Sequence, residues 1–178
     1  MKIGVILGSI RDGRNGEQVA KWVMETARKR SGVDYELIDL AEFNVPLLTS
    51  ATMPGVANKQ YDDEAVTAWS RAIDSCDGYI FVTAEYNHSV PGGFKNAVDS
   101  LSPEWNGKTV GFVGYGSEGA SRAVEHWRQI IANFSMFGVR NQVSLSLFDD
   151  FDNGVLSPRE VKVASLERVL EDVEAQLA

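Results

Sequence analysis

Short apolar runs alternate with amphipathic stretches along this chain. The apolar runs predict five strands, at 2–7, 35–40, 78–83, 109–113 and 142–147. Apolar residues recur every three or four positions in the stretches between them, which predicts helices at 16–30, 62–75, 120–137, after Pro91 and after Ser157. Strands that alternate with helices in this order predict an α/β fold in three layers, with a five-stranded parallel sheet in the middle.

The last helix and one long connection are marked by local residue types. Ser157, Pro158 and Glu160 have the spacing of a capping box with proline at the first helical position, which predicts a helix start there. The segment 41–60 has no such period and contains two prolines, so we expect an irregular connection.

Composition restricts the class of protein. The chain has 178 residues, of which 44% are hydrophobic and 24% charged, as expected for one globular domain spanning 1–178. Its net charge of −8 argues against nucleic acid or an anionic membrane as partners. No apolar run approaches the about 20 residues of a membrane span, and the start resembles no signal peptide. A single cysteine, Cys76, fits a reducing compartment, so we expect a cytoplasmic protein.

The stretch Gly8–Gly16 joins the first strand to the first helix. Backbone N–H groups at the start of a helix attract anions, and Ser9, Arg11 and Arg14 add a hydroxyl and positive charge. The loop has neither the Gly-Lys-Ser/Thr end of a P-loop nor the Gly-x-Gly-x-x-Gly spacing of dinucleotide-binding folds. It therefore predicts a site for a phosphate monoester, the alternative being an ordinary polar connection.

Two further loops have unusual composition. Residues 84–93 follow the third strand and residues 114–119 follow the fourth, and both are rich in glycine, tyrosine, asparagine and serine. Parallel sheets bind ligands beyond the carboxyl ends of their strands. We therefore expect these loops to form a wall for a planar ring system that is attached to the phosphate.

Two motifs resemble those of the NADPH-dependent FMN reductase family. They are Gly8-Ser9-x-Arg11 and Glu85-Tyr86-Asn87-x-Ser89-x-Pro91-Gly92-x-x-Lys95-Asn96-Ala97-x-Asp99. The resemblance extends from the first strand to about Phe137. It implies a flavodoxin-like fold and an oxidoreductase, since the family includes FMN, quinone, azo-dye and chromate reductases.

The resemblance also implies which residues bind FMN. Ser9 and Arg11 match the positions that hold the FMN phosphate. The remaining cofactor-binding positions are Asn15, Gly16 and Glu17 as backbone donors, Glu85, Tyr86 and Asn87 along the flavin ring, and Ser117 on its other side. Many family members have proline where this chain has Ala84, which makes that turn less rigid.

In such an enzyme the cofactor performs the chemistry. NADPH or NADH passes a hydride to FMN, and a small-molecule electron acceptor then takes it in a ping-pong cycle, without a catalytic side chain or a metal. The resemblance implies a homodimer or homotetramer, and the aromatic segment 124–137 is our predicted part of that interface.

Several questions stay open at this level. A flavodoxin-type electron carrier without its own NAD(P)H site, and a flavodoxin-like protein that binds a phosphorylated ligand but no flavin, are the alternatives. Arg14 suits either the FMN phosphate or the 2′-phosphate of NADPH. His88 suits the rim of the site or a contact with the nicotinamide, and Trp105 suits the mouth of the site or the cover of the sheet.

Overall fold

A computed structural model describes residues 1–178 as a parallel sheet with helices on both sides. The strand order is β2-β1-β3-β4-β5, and every neighbouring pair is parallel. The strands are β1 (Lys2–Leu7), β2 (Asp34–Asp39), β3 (Gly78–Ala84), β4 (Thr109–Gly116) and β5 (Phe137–Ser146), with a separate hairpin of β6 (Phe151–Asp152) and β7 (Val155–Leu156). The predicted three-layer, flavodoxin-like fold is confirmed.

The sheet separates the hydrophobic core into two clusters, and helices cover each of them. The helices are α1 (Gly16–Ala27), α2 (Leu40–Phe43), α3 (Glu64–Asp74), α4 (Gly92–Asp99), α5 (Ser121–Ala132) and α6 (Glu160–Leu177). The apolar faces of α1 and α6 pack on one side of the sheet, and those of α2, α3, α4 and α5 pack on the other. Every residue of β3 and β4 is buried, because these central strands are covered on both faces.

An aromatic cluster lies under the end of β1. The ring of Phe94 packs against Phe81 and Trp127, with ring centroids 4.9 and 4.7 Å apart. Gly8 follows β1 directly, and a Cβ at this position would lie 2.0 Å from Phe94 Cδ1. The loop after β1 thus approaches α4 as closely as glycine permits.

The predicted helix at 120–137 is too long. The helix ends at Ala132, and β5 already begins at Phe137. Trp127, Phe134 and Met136 are buried in the core of this same chain, and only Phe137 is about half exposed. The expectation that this aromatic segment forms a subunit interface is therefore wrong for its three buried members, because the sheet and α4 cover them.

The start of α6 also differs from the prediction. The helix begins at Glu160, and the N–H of Ser157 donates to the carbonyl of Asp150 instead of starting a helix. The fully buried Asp150 carboxylate accepts from the Arg159 guanidinium, with Nε and Oδ1 2.9 Å apart, and from Ser146 N–H. This ion pair, between the buried carboxylate and the half-exposed Arg159 side chain, replaces the predicted capping box.

Two other features complete the fold. Trp105 is completely buried and donates to the carbonyl of Val98, so it lies in the core rather than at the mouth of a site. None of the helices is both long and apolar enough to span a membrane.

The close approach at Gly8 leads to a stability prediction. Gly8→Ala is expected to lower the free energy of unfolding by about 1–3 kcal/mol, because the packed Phe94 ring has no space into which it can move. The matched control is Gly92→Ala, where an added Cβ meets no atom within 4 Å. Urea denaturation of both variants tests this, and equal midpoints would contradict it.

Candidate functional site

A cavity of about 260 Å³ opens beyond the carboxyl ends of β1, β3 and β4. Three loops, which follow these strands, supply most of its wall. The lining residues are Ser9, Arg11, Gly13, Arg14, Asn15, Ala84, Glu85, Tyr86, Tyr115, Gly116, Ser117 and Leu147. This is the edge of the sheet at which the sequence predicts the ligand.

The loop between β1 and α1 leaves its backbone donors unused. None of the N–H groups from Ser9 to Gln18 donates to another group of the protein. Asn15 is the N-cap residue of α1, but its side chain makes no capping bond. These N–H groups, together with the positive end of the helix dipole, are suited to hold an anion such as a phosphate.

The Arg14 side chain holds this loop in place through hydrogen bonds and ion pairs within the protein. Its guanidinium is 8% exposed and pairs with Asp39, at the end of β2, with Nη1 and Oδ1 2.9 Å apart. It also donates to Glu17, with Nε and Oε1 3.1 Å apart, and to the carbonyl of Ser9. These acceptors occupy the donors of Arg14, which leaves the exposed and unpaired Arg11 as the available cation of the loop.

The two predicted motifs meet at Tyr86. The hydroxyl oxygens of Ser9 and Tyr86 are 3.0 Å apart, and the Arg11 guanidinium carbon lies 5.9 Å from the centre of the Tyr86 ring. The fold therefore brings together three side chains that come from motifs far apart in the sequence.

Glu85 caps the helix that follows the third loop. Its Oε2 accepts from the backbone N–H groups of Arg122 and Ala123, at 3.0 and 3.3 Å, and its Oε1 accepts from the Arg122 guanidinium at 2.7 Å. Ala120, the N-cap residue of α5, has no side chain that can accept, so Glu85 supplies the cap. The carboxylate therefore ties the loop after β3 to the first turn of α5.

The electrostatic balance at Glu85 favours the charged form. Burial raises the pKa of its carboxyl group, but the hydrogen bonds from Arg122 and from the N–H groups of Arg122 and Ala123 lower it by more. The pKa of Glu85 therefore lies below its ordinary value, and the cap is fully charged at neutral pH.

Asn87 and His88 form a tight turn beside the cavity. Both have a left-handed backbone, with φ of 49° and 65°, and the turn is closed by two hydrogen bonds of 3.0 Å between the backbones of Tyr86 and Ser89. The side chains of Asn87 and His88 are exposed and do not line the cavity. Their contribution to this wall is backbone geometry.

Other predicted positions contribute in different ways. Ser117 lines the cavity from the third loop. Gly16 and Glu17 do not line the cavity, but their backbone N–H groups have no acceptor in the protein, and the Glu17 side chain accepts from Arg14. Gly16 has no room for a side chain, because a Cβ would lie 2.6 Å from Tyr115 Oη and 2.7 Å from Leu7 Cδ1.

Sequence reasoning included Tyr115 only as part of the wall formed by residues 114–119, and it missed the lining residue Leu147. Tyr115 lies between two glycines at the end of β4, the strand next to β3, and this place at the carboxyl edge of the sheet was the signal. Leu147 follows β5, and nothing in its local sequence distinguishes it from other apolar residues of the chain.

Fold and site together define a flavodoxin-like protein with an anion cradle, formed by the free backbone N–H groups from Ser9 to Gln18, beside a cavity wall that contains Tyr86 and Tyr115. The sequence pattern of the family described as NADPH-dependent FMN reductase matches residues 1–150. The chain belongs to this family, which confirms the resemblance, the assignment as an oxidoreductase, and FMN with NAD(P)H as the cofactor and co-substrate.

Individual relatives agree with this assignment. An NAD(P)H-dependent FMN reductase of Nectria sp is 44% identical over 126 residues, which are 68% of this chain and 63% of that protein. The chain thus spans less than two thirds of that relative's length. An NAD(P)H-dependent FMN reductase of Schizosaccharomyces pombe is 33% identical over 88% of this chain and 79% of its own. A quinone reductase of Escherichia coli K12 is 34% identical over 74% of this chain and 69% of its own.

Solved structures share the fold at low sequence identity. A flavoenzyme NAD(P)H:(acceptor) oxidoreductase of Paracoccus denitrificans superposes with a TM-score of 0.73 at 18% identity, covering 97% of this chain and 95% of that one. Flavodoxin 1 of Bacillus cereus superposes with a TM-score of 0.57 at 17% identity, covering 98% of each chain.

The cap at Glu85 leads to a pH-dependent prediction. Glu85→Gln is expected to lower the free energy of unfolding at pH 7 by about 1–2 kcal/mol, because it removes charged hydrogen bonds at the start of α5. A carboxyl group whose pKa is depressed by folding stabilises the protein above its unfolded pKa of about 4.3 and loses this effect as the pH falls through the folded pKa. The difference from the wild type therefore shrinks below pH 4.

The control is Glu125→Gln on the same helix. The Glu125 carboxylate is 67% exposed and lies 3.5 Å from Arg128 Nε, so its removal is expected to change stability by less than about 0.5 kcal/mol. Chemical denaturation of both variants between pH 3.5 and pH 7 makes the comparison. A Glu85→Gln difference that does not vary with pH would show that its charge has no part in the cap.

Proposed function

We propose that this protein is an FMN-dependent NAD(P)H oxidoreductase that reduces a small electron acceptor by a ping-pong mechanism. In this proposal the whole chain, 1–178, forms one FMN-binding domain. The observation that carries the proposal is the row of unused backbone N–H groups from Ser9 to Gln18 beside a cavity walled by tyrosines. The first feature suits a phosphate monoester and the second suits a flat ring system.

The phosphate of FMN would bind at the start of α1. Ser9 offers a hydroxyl, Arg11 offers a free guanidinium, and Asn15, Gly16 and Glu17 offer backbone N–H groups. Arg14 acts indirectly, since its contacts with Asp39 and Ser9 hold the loop open. Arg11 and the backbone N–H groups at the start of α1 would provide the local positive potential that a net acidic chain needs in order to bind a dianion.

The flavin ring would lie between the second and third loops. Backbone groups of Glu85, Tyr86 and Asn87 border it on one side, and Ser117 borders it on the other. The N–H groups of Asn87 and Ser117 have no acceptor in the protein, so they are available to ring oxygen or nitrogen atoms where negative charge develops on reduction.

Bound FMN would supply the hydride chemistry that connects NAD(P)H with the electron acceptor. The protein then needs no acid or base among its side chains. Its tasks are to hold the phosphate, to orient the ring and to keep one face open. In this proposal the exposed His88 side chain, which follows the lining residue Tyr86 by two positions, would be available to the incoming nucleotide or acceptor.

We further propose quinones and related small oxidants, such as free flavin, azo dyes or metal oxyanions, as acceptors in the cytoplasm. Relatives named quinone reductase and 2-hydroxy-1,4-benzoquinone reductase support the quinone class. A homodimer or homotetramer completes the proposal. It is supported by the exposed apolar side chains of Leu47, Met53 and Val56, which one copy of the chain leaves uncovered.

The first test is an absorbance spectrum of the FMN-reconstituted protein before and after anaerobic NADPH. We expect the flavin band to bleach rapidly and to return when a quinone is added. If the protein binds flavin but NADPH leaves it oxidised, the protein is an electron carrier and not an NAD(P)H oxidoreductase. If the protein binds no flavin, both of these functions are refuted.

Arg11→Ala tests the phosphate assignment. Loss of a charged hydrogen bond of about 1.5–3 kcal/mol is expected to weaken FMN binding about tenfold to a hundredfold. The unfolding midpoint without FMN should stay unchanged, because Arg11 is exposed and makes no ion pair. Fluorescence titration with FMN measures the dissociation constant, with Arg71→Ala on the exposed face of α3 as the control. Equal affinities of Arg11→Ala and wild type would refute the assignment.

A further inference from the structure

The hydroxyl of Tyr115 is a buried polar atom without a hydrogen-bond partner. Tyr115 is 5% exposed, and its Oη is the buried side-chain oxygen that the structure leaves unpaired. By contrast, the buried hydroxyl of Tyr79 donates to the carbonyl of Ile73 at 2.7 Å and accepts from Lys108 Nζ at 2.9 Å. An unpaired buried hydroxyl costs free energy, so its presence calls for a reason.

Tyr115 lies directly below the anion cradle. Its ring lines the cavity, and its hydroxyl lies 2.6 Å from the point that a Cβ of Gly16 would occupy, at the first residue of α1. Burial raises the pKa of Tyr115 to about 12, although the Ser9 hydroxyl and the Arg14 and Arg11 guanidinium groups act in the opposite direction. At neutral pH the group is therefore a protonated donor beside Ser9.

Ser9 has the capacity to use this donor. A serine hydroxyl has one proton to give and two lone pairs that accept. Ser9 is 1% exposed and is bonded to the hydroxyl of Tyr86, which is itself partly exposed. When the Ser9 hydroxyl donates to a ligand, the Tyr86 hydroxyl can form a hydrogen bond with water instead. The hydroxyl of Tyr115 has no contact with water and lacks this option.

We propose that Tyr115 is a positioning residue of the phosphate subsite. When a phosphate monoester occupies the cradle, the Tyr115 hydroxyl donates to Ser9 Oγ, and this bond directs the Ser9 proton to the ligand. The hydrogen bond that is missing in the free protein forms on binding, so the ligand gains the free energy of a bond that folding left unmade. This inference rests on the proposed function, in which the ligand is FMN.

Tyr115→Phe removes only the hydroxyl. We expect FMN to bind about tenfold more weakly, while the affinity for riboflavin, which lacks the phosphate, stays the same. The unfolding midpoint of the unliganded variant should equal or exceed that of the wild type, because an unpaired buried hydroxyl has been removed.

Tyr79→Phe is the matched control, since it removes a buried hydroxyl that is paired and lies at the opposite end of the sheet. It should lower the unfolding midpoint and leave FMN affinity unchanged. Fluorescence titrations with FMN and riboflavin, and urea denaturation without ligand, provide the readouts.

The role of Ser9 is tested in a second background. In Ser9→Ala, the further change Tyr115→Phe should have no effect on FMN affinity, because the bond that it removes has no acceptor. A tenfold loss that persists in this background would overturn the route through Ser9. Equal losses of FMN and riboflavin affinity in Tyr115→Phe, or no loss of either, would overturn the inference as a whole.

Failure of the proposed function has a different signature. If the wild type binds no FMN, inorganic phosphate becomes the probe, measured as a rise in the thermal unfolding midpoint. A phosphate effect that Tyr115→Phe abolishes would support the anion subsite without a flavin, and an effect that survives the substitution would overturn the inference.

Discussion

The candidate site depends on a loop that keeps its shape without using its own backbone donors. The loop after β1 is held by one buried guanidinium, that of Arg14, which joins the carbonyl of Ser9 to the carboxylate of Asp39 on the neighbouring strand. Breaking such a buried pair leaves an uncompensated charge, so the loop has a strong reason to stay in this arrangement. Because the bracing comes from a side chain, the N–H groups from Ser9 to Gln18 stay available to a ligand.

The loop after β3 is fixed to this loop and to the start of α5. Tyr86 meets Ser9 through their hydroxyl groups, and Glu85 supplies the cap that Ala120 cannot give to α5. The three residues of the motif Glu85-Tyr86-Asn87 therefore make different contributions to the site. Glu85 connects the loop after β3 to α5, Tyr86 reaches the first loop, and the left-handed turn at Asn87 shapes the rim.

The tightly packed core below the cavity restricts the movement of these loops. Phe81, Phe94 and Trp127 pack against one another beneath Gly8, and the Phe94 ring leaves no volume for a side chain there. Trp127 also donates to Thr83 in β3, so the strand that carries the second loop is fixed from below. A preorganised site of this kind loses little conformational freedom when a ligand binds, and this favours tight binding of the ligand.

The sequence by itself determined the order of the five sheet strands and of five of the six helices, and the edge of the sheet at which the cavity lies. The resemblance of two of its motifs to a known family assigned Ser9, Arg11 and Tyr86 to that edge. Alternation of apolar and polar residues, glycine-rich loops and two motifs are properties of short segments, and the chain alone shows them. Only the tertiary structure decided which partners the polar side chains have. Arg14 pairs with Asp39 over 25 positions of sequence, and Glu85 caps a helix 37 positions away. Burial and hydrogen bonding depend on which surfaces meet after packing. The local sequence therefore does not show whether a polar side chain such as Arg14 or Glu85 binds another part of the protein or a ligand.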